Sequence, residues 1–431
     1  MMMTQRIKQE LLSEKGLVLT DQVIVSGSAF ATNMLLAQAL GASAYGRFSA
    51  VVLCQLFLLS IQQAAGSGIY QVIWPALAAP LQKRYTDSLL YGQLGWLSSL
   101  LLGSWAMYQL MPAFFAGYEA SLLLAASLST GLYLLQDFLR KCLLVQRRAD
   151  RAVLLDGLTN AGQLLLLLLF RMQGALSLQA AIWIVGLTFL PSIGLGLFWL
   201  KPGRYRRADR FMAWRLHRQQ GGWMLLSALT QWLAGNFLIV AAGWWLGAAA
   251  LGALRLAQYI FGLLNVLLQA LESYVVPRAA KVANSPTDLV AYLRSVLVKS
   301  LLGLLPLLLI LTLGAEPLLT FAGGADYHDF AYVMYGLTAV YVLVICSYPI
   351  RILLRVRQLN KHYFAGYVLA TVVSLATASW LIGHFELKGV LVGLFLTQAI
   401  LLIYWLLVLQ HNGLLQWKSS TLFSARPIRP E

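Results

Sequence analysis

Charge is what this sequence has least of. Only 11% of its 431 residues are charged, and acids are the scarcer kind, 16 Asp and Glu against 32 Lys and Arg. A soluble domain is about one quarter charged, so that class is excluded. Cysteine is limited to Cys54, Cys142 and Cys346, all in or beside apolar segments, which excludes a disulfide framework. The five histidines are scattered without metal-ligand spacing, so neither a metal nor a cofactor is expected. Polar stretches are short as well. The longest, Lys201 to Gln220, cannot fold alone, and no separate soluble domain is expected.

What is present is hydrophobic. Apolar residues make up 59% of the chain, mean hydropathy is +0.71, and runs of about 20 apolar residues, the length that crosses a bilayer core, recur throughout. Twelve spans can be read, at roughly 17–40, 48–73, 88–111, 120–139, 152–170, 176–200, 222–246, 251–276, 298–320, 330–350, 363–384 and 388–410. Long continuous runs indicate helices rather than a β-barrel. The expected class is therefore an all-α polytopic membrane protein with about 12 transmembrane helices. Leu17 to Ile73 and Gly222 to Glu272 are each too long for one crossing, and the paired glycines Gly41/Gly46 and Gly247/Gly252 mark where the chain turns back. The N-terminus resembles a signal peptide, with "AFA" at Ala29 to Ala31. However, Asp21 and Gln22 interrupt the apolar run, which then continues to Leu40, so the first span is expected to be retained.

The net charge of +16 does not call for nucleic acid. All basic residues but Arg47, Arg171, Arg255 and Lys388 fall on one set of alternate loops, which also holds both termini. This positive-inside pattern predicts cytoplasmic termini and an even number of spans. The motif "LGASAYGRFSA", Leu40 to Ala50, returns as "LGAAALGALRLA", Leu246 to Ala257, and "FLRKCLLVQRRADRA" from Phe138 is echoed by "PIRILLRVRQLNKHY" from Pro349. Gly41 matches Gly247, Arg47 approximately matches Arg255, and Arg140 matches Arg351. Six crossings per copy return the chain to its starting side. The copies are then two parallel, pseudo-symmetric six-helix lobes, 1–200 and 222–431, joined by a cytoplasmic basic linker, 201–221.

The basic N-terminus, the first span from Leu17 to Gly41 and the "YGRFS" that follows resemble the polysaccharide and O-antigen (Wzx-type) flippases. These belong to the multidrug/oligosaccharidyl-lipid/polysaccharide exporter superfamily. The resemblance implies a bacterial inner-membrane protein that flips an undecaprenyl-pyrophosphate-linked oligosaccharide to the periplasmic leaflet. It implies that lipid-linked oligosaccharide and membrane lipids are partners, with polysaccharide assembly proteins as further candidates. Related lipid II flippases hold pyrophosphate with arginines in the first, second and eighth spans. Arg47 and Arg255 match the latter two, while the first span carries Asp21 and no arginine.

The candidate residues follow from chemistry. Arg47 and Arg255 each begin a helix, whose N-terminal dipole disfavours a cation and favours an anion beside it. A guanidinium also grips phosphate bidentately. Facing each other across a central cleft, the two would hold pyrophosphate; the competing reading is snorkelling into headgroups. Asn33, Asn236, Gln258 and Asn265 form a polar set that meets either sugar hydroxyls or other helices, and Gln258, Asn265 and Gln269 share one helical face. Asp21 and Glu272 are candidates for ion coupling or for ion pairing, Glu272 with Arg278. Asp137 and Asp156 are expected to pair with the neighbouring basic residues Arg140 and Arg151. Pro191 and Pro306 should kink their spans. Arg204 to Arg218, with Phe211, Trp214 and Leu216, reads as an interfacial amphipathic segment or as plain loop charge.

A flippase ranks first among functions. A cation-coupled multidrug antiporter of the same superfamily would want acids deep in the cavity and no arginine clamp, so it ranks second. A membrane polysaccharide polymerase or glycosyltransferase would want a sizeable polar loop with clustered Asp, Glu, His or Arg. The largest outer loop offers only Asp326, His328 and Asp329, and no enzyme is expected.

Overall fold

The computed structural model describes residues 14–111, 119–204 and 206–414. The basic residues Arg6, Lys8, Lys418, Arg426 and Arg429 lie outside these, as does the side chain of Lys15. Every described element is helical, and no strand occurs among the described residues. Among the described residues, nine helical stretches are long and apolar enough to cross a membrane. The all-α membrane class is as the sequence predicts.

The first helix, α1 (Glu14–Gln62), breaks at Gly41, where φ is 72° and ψ 172°. It runs on through a wide turn at Gln63–Ser67, α2 (Gly68–Ile73) and a tight turn at Trp74–Ala76 around Pro75. Next come α3 (Ala79–Leu110), α4 (Ala120–Val145) and α5 (Ala149–Met172). The sixth crossing is split into α6 (Leu178–Leu187) and α7 (Phe189–Leu200). Pro191 cannot donate to the carbonyl of Leu187, which accounts for the split, and Ser177 caps α6 by accepting from Ala180 N at 3.2 Å. The second half consists of α8 (Arg207–Trp245), α9 (Ala248–Lys281), α10 (Pro286–Leu313), the short α11 (Ala315–Gly323), α12 (Tyr332–Val356) and α13 (Asn360–His411). Helix α10 runs unbroken through Pro306, and α13 breaks at Glu386.

The linker is not a separate element. Arg207 begins α8, so the basic segment extends the helix that becomes the next span. It is tied back to the first half. Lys83 donates to Lys201 O at 2.6 Å, Tyr91 to Gly203 O at 2.9 Å, and Arg84 pairs with Asp209. His217 Nδ1 bonds Ala65 O at 2.7 Å inside the wide turn.

The largest joint between the halves is α1 on α9. Gly41 and Gly247 share one conformation, φ 72° and 91° with ψ near 172° and 174°, which only glycine adopts without strain. Five residues on, Gly46 and Gly252 meet backbone to backbone. A Cβ on Gly46 would lie 1.7 Å from Ala248 O, and one on Gly252 2.4 Å from Ala42 O. The two contacts are reciprocal, as a two-fold relation requires. Small residues let membrane helices approach this closely. The same face is sealed further by Gln38, which donates to Phe321 O at 2.7 Å, and by Tyr45 edge-on to Tyr327. This hairpin face lies opposite the face that carries the basic loops.

Candidate functional site

The interior of the first half holds a cavity of about 300 Å³. Its walls come from α1, α4, α5, α6 and α7, with Tyr259 of α9 reaching in from the second half. Polar groups line it, including Asn33, Gln55, Gln136, Asp137, Arg140 and Asp156. Arg140 sits at its centre of charge, bridging Asp21 of α1 and Asp156 of α5. Gln136 donates to Asp156 Oδ1 at 2.7 Å, and Asp137 pairs with Lys141 at 2.9 Å. The network thus joins three carboxylates to two basic side chains. Buried charges persist in a membrane only when paired in this way.

The sequence expectations for these acids need correction. Asp156 pairs with Arg140 rather than Arg151, whose guanidinium lies 5.2 Å from the centre of the Trp199 ring. Asp137 takes Lys141, one helical turn on, rather than Arg140. Glu272 pairs with Arg355 and accepts from Tyr348 at 3.1 Å, while Arg278 lies over Tyr274 at 3.4 Å. Local spacing suggested partners along the chain, whereas packing supplied partners from neighbouring helices.

Arg47 and Arg255 are not brought together. Arg47 lies six residues past Gly41 and Arg255 eight past Gly247. Two residues turn a helix by about 200°, so equivalent hairpins aim the two side chains oppositely. Arg47 is exposed and makes no hydrogen bond or ion pair among the described residues. Arg255 is 8% exposed, donates to Gln258 Oε1 at 3.0 Å and Tyr259 OH at 3.2 Å, and has no carboxylate partner among the described residues. A facing pair across the cleft is therefore absent from this arrangement.

The polar set is dispersed too. Asn33 is buried, donates to Ala29 O at 2.7 Å and accepts from Tyr45 at 2.9 Å. Asn236 donates to Trp232 O in its own helix. Asn265 is exposed and donates to Tyr341 at 2.9 Å. Gln269 accepts from Gln22 at 3.4 Å, across the joint between the halves. The residue most missed is Arg140. Its match to Arg351 was visible in the repeated segment, but its nearness to basic loops hid its position inside the half.

Comparison with known proteins places the fold. Over 90% of this chain and 86% of the other, it is similar to the lipid II flippase MurJ in an inward closed conformation, with a TM-score of 0.69 at 15% identity. It is similar to an inward-facing multidrug resistance MATE family transporter of the MOP superfamily, covering 94% of this chain and all of that one, with a TM-score of 0.69 at 13% identity. The chain shares the fold of these two proteins. A MOP-superfamily transporter from Pyrococcus furiosus also matches, over 93% of this chain and 96% of that one, with a TM-score of 0.61 at 13% identity. By sequence, residues 178–332 match a family described as polysaccharide biosynthesis protein. No curated protein matches the sequence. The resemblance to polysaccharide flippases of the MOP superfamily, read from the first two spans, is borne out.

Proposed function

We propose that this chain is a flippase that moves an undecaprenyl-pyrophosphate-linked oligosaccharide from the cytoplasmic to the periplasmic leaflet by alternating access. The observation that carries this reading is the match of residues 178–332 to a polysaccharide biosynthesis family on a fold shared with a lipid II flippase. The protein would sit in a bacterial inner membrane with both termini cytoplasmic, which the asymmetry of its basic loops supports. Twelve crossings in two lobes, 1–200 and 222–431, follow if the breaks at Gly41 and Glu386 are reversals and α3 is a span.

Within the proposed binding set, Arg255 with Gln258 is best supported. Its guanidinium is buried among neutral groups and is free to exchange them for phosphate oxygens. Arg47 is placed to meet headgroups on the hairpin face, and Asn33, Asn236 and Asn265 would reach sugar hydroxyls only after releasing their present partners. Asp21 and Glu272 remain the proposed coupling acids. Asp21 is 3% exposed, with one oxygen lacking any hydrogen bond.

A cation-coupled antiporter is the second reading, and the cavity lined by Asp137 and Asp156 favours it. The deciding experiment measures lipid-linked oligosaccharide in cells with and without the protein. Precursor facing the cytoplasm should accumulate in its absence. An unchanged pool, in a strain lacking other flippases for that glycan, would transfer the assignment to the antiporter.

A further inference from the structure

The turn after α4 recurs after α12. Arg147 at φ 57° and Gln358 at φ 55° are both left-handed and lie 211 residues apart. Each turn closes with the same two backbone bonds. Arg147 N meets Leu144 O at 3.0 Å and Arg148 N meets Leu143 O at 2.9 Å. Correspondingly, Gln358 N meets Arg355 O at 3.1 Å and Leu359 N meets Leu354 O at 2.8 Å. The flanking helix ends coincide as well, Val145 with Val356 and Ala149 with Asn360. This fixes the register of the repeat to the residue. In it Arg140 corresponds to Arg351, Asp137 to Tyr348 and Asp156 to Tyr367. Counted from Gly41 and Gly247, Asp21 corresponds to Ser227. The second copy has kept the arginine and none of the carboxylates.

The consequence is electrostatic. Arg140 is neutralised by two buried acids. Arg351 meets no carboxylate among the described residues. Its guanidinium lies 5.0 Å from the centre of the Tyr348 ring. Glu272, the one carboxylate of the cluster, is taken by Arg355 and Tyr348. A half-buried guanidinium between membrane helices is costly unless an anion joins it. A planar fork of donors fits phosphate oxygens in particular.

We infer that Arg351, assisted by Arg355 one helical turn on, forms a pyrophosphate-binding site at the basic face of the second half, distinct from Arg255. The site rests on the geometry alone. Its ligand, the head of a lipid-linked glycan on entry, rests on the flippase reading.

The test titrates the full-length protein in detergent with inorganic pyrophosphate and, separately, with undecaprenyl pyrophosphate. Arg351→Gln should weaken both by about tenfold or more, the loss of a charge-assisted pair of hydrogen bonds. Arg351→Lys should weaken them less, and Arg204→Gln, on the exposed linker, should leave them within about twofold. Because Arg351 neutralises no acid, Arg351→Gln orphans no buried charge, and an unchanged unfolding midpoint confirms that the variant folds. Wild-type affinity in Arg351→Gln, or an equal loss in Arg204→Gln, overturns the site in favour of diffuse attraction. Inorganic pyrophosphate should also displace the lipid; lipid binding that it leaves untouched overturns the headgroup assignment. If cells lacking the protein show no precursor build-up while Arg351-dependent pyrophosphate binding persists, the flippase reading fails and the site stands.

Discussion

Replacing Gly46 by alanine should push the two halves apart on the hairpin face. The added Cβ would lie 1.7 Å from the carbonyl oxygen of Ala248. Non-bonded carbon and oxygen do not approach within about 3 Å, so the helices must separate by more than ~1 Å. The obstacle is backbone, which cannot rotate away as a side chain would. Overpacking of this kind costs roughly 1–3 kcal/mol, and the cost falls only on the arrangement in which α1 and α9 touch. If a second arrangement with these hairpins separated exists, as alternating access requires, the balance should move towards it by about 5- to 150-fold. Spin labels at Ser43 and Ala249, equivalent positions in the two hairpins, report the separation by electron–electron distance measurement once the native cysteines are replaced. Gly252→Ala should act in the same direction, since its Cβ would lie 2.4 Å from Ala42 O. Gly95→Ala is the control, with nothing within 4 Å of its added Cβ. A folded Gly46→Ala protein with the wild-type distance distribution would refute the claim that this contact holds the face shut.

Two further outcomes follow from charge. Arg140→Gln leaves Asp21 and Asp156 buried without their cation and should cost about 3–5 kcal/mol; adding Asp21→Asn and Asp156→Asn should restore most of the loss in thermal unfolding, and a single variant as stable as wild type would contradict the network. His217, half-buried within the linker against Ala65, has its pKa lowered below the ordinary value of 6.5 by that partial burial. The unfolded chain then takes up this proton first, so the linker's anchorage should weaken as pH falls through 6.5 and hold at higher pH. Unfolding midpoints between pH 7.5 and 5 should fall less steeply in His217→Gln than in wild type, and equal slopes would remove the histidine from the account.

The membrane class and the two hairpin turns were legible because each rests on a strong local signal. Apolar length predicts a crossing, and a glycine pair inside a run too long for one crossing predicts a reversal. Gly41 and Gly247 then proved to share one backbone conformation. The site was less legible. An offset that differed by two residues between glycines and arginines is a small matter in an alignment, yet on a helix it separates Arg47 from Arg255 by half a turn. Ion partners failed for a related reason. Sequence spacing nominates neighbours on the same helix, but Asp21 meets Arg140 from a helix more than a hundred residues away.

The linker's attachment has a mechanical consequence. Gly203 and the first three turns of α8 are pinned to the first half through Tyr91, Arg84 and the bond from His217 to Ala65. The remainder packs chiefly on α13, where Trp223 meets Phe364 at 4.7 Å and Thr371 donates to Thr230 O. One rod is therefore clamped in two blocks, and relative tilting of those blocks loads it in bending. Consecutive glycines occur in this rod only at Gly221 and Gly222, between the two clamps. Stiffness is lowest there, since glycine pairs are where helices kink. The segment that reads in sequence as a tether would work as a flexure, with its compliance confined to a single pair of residues.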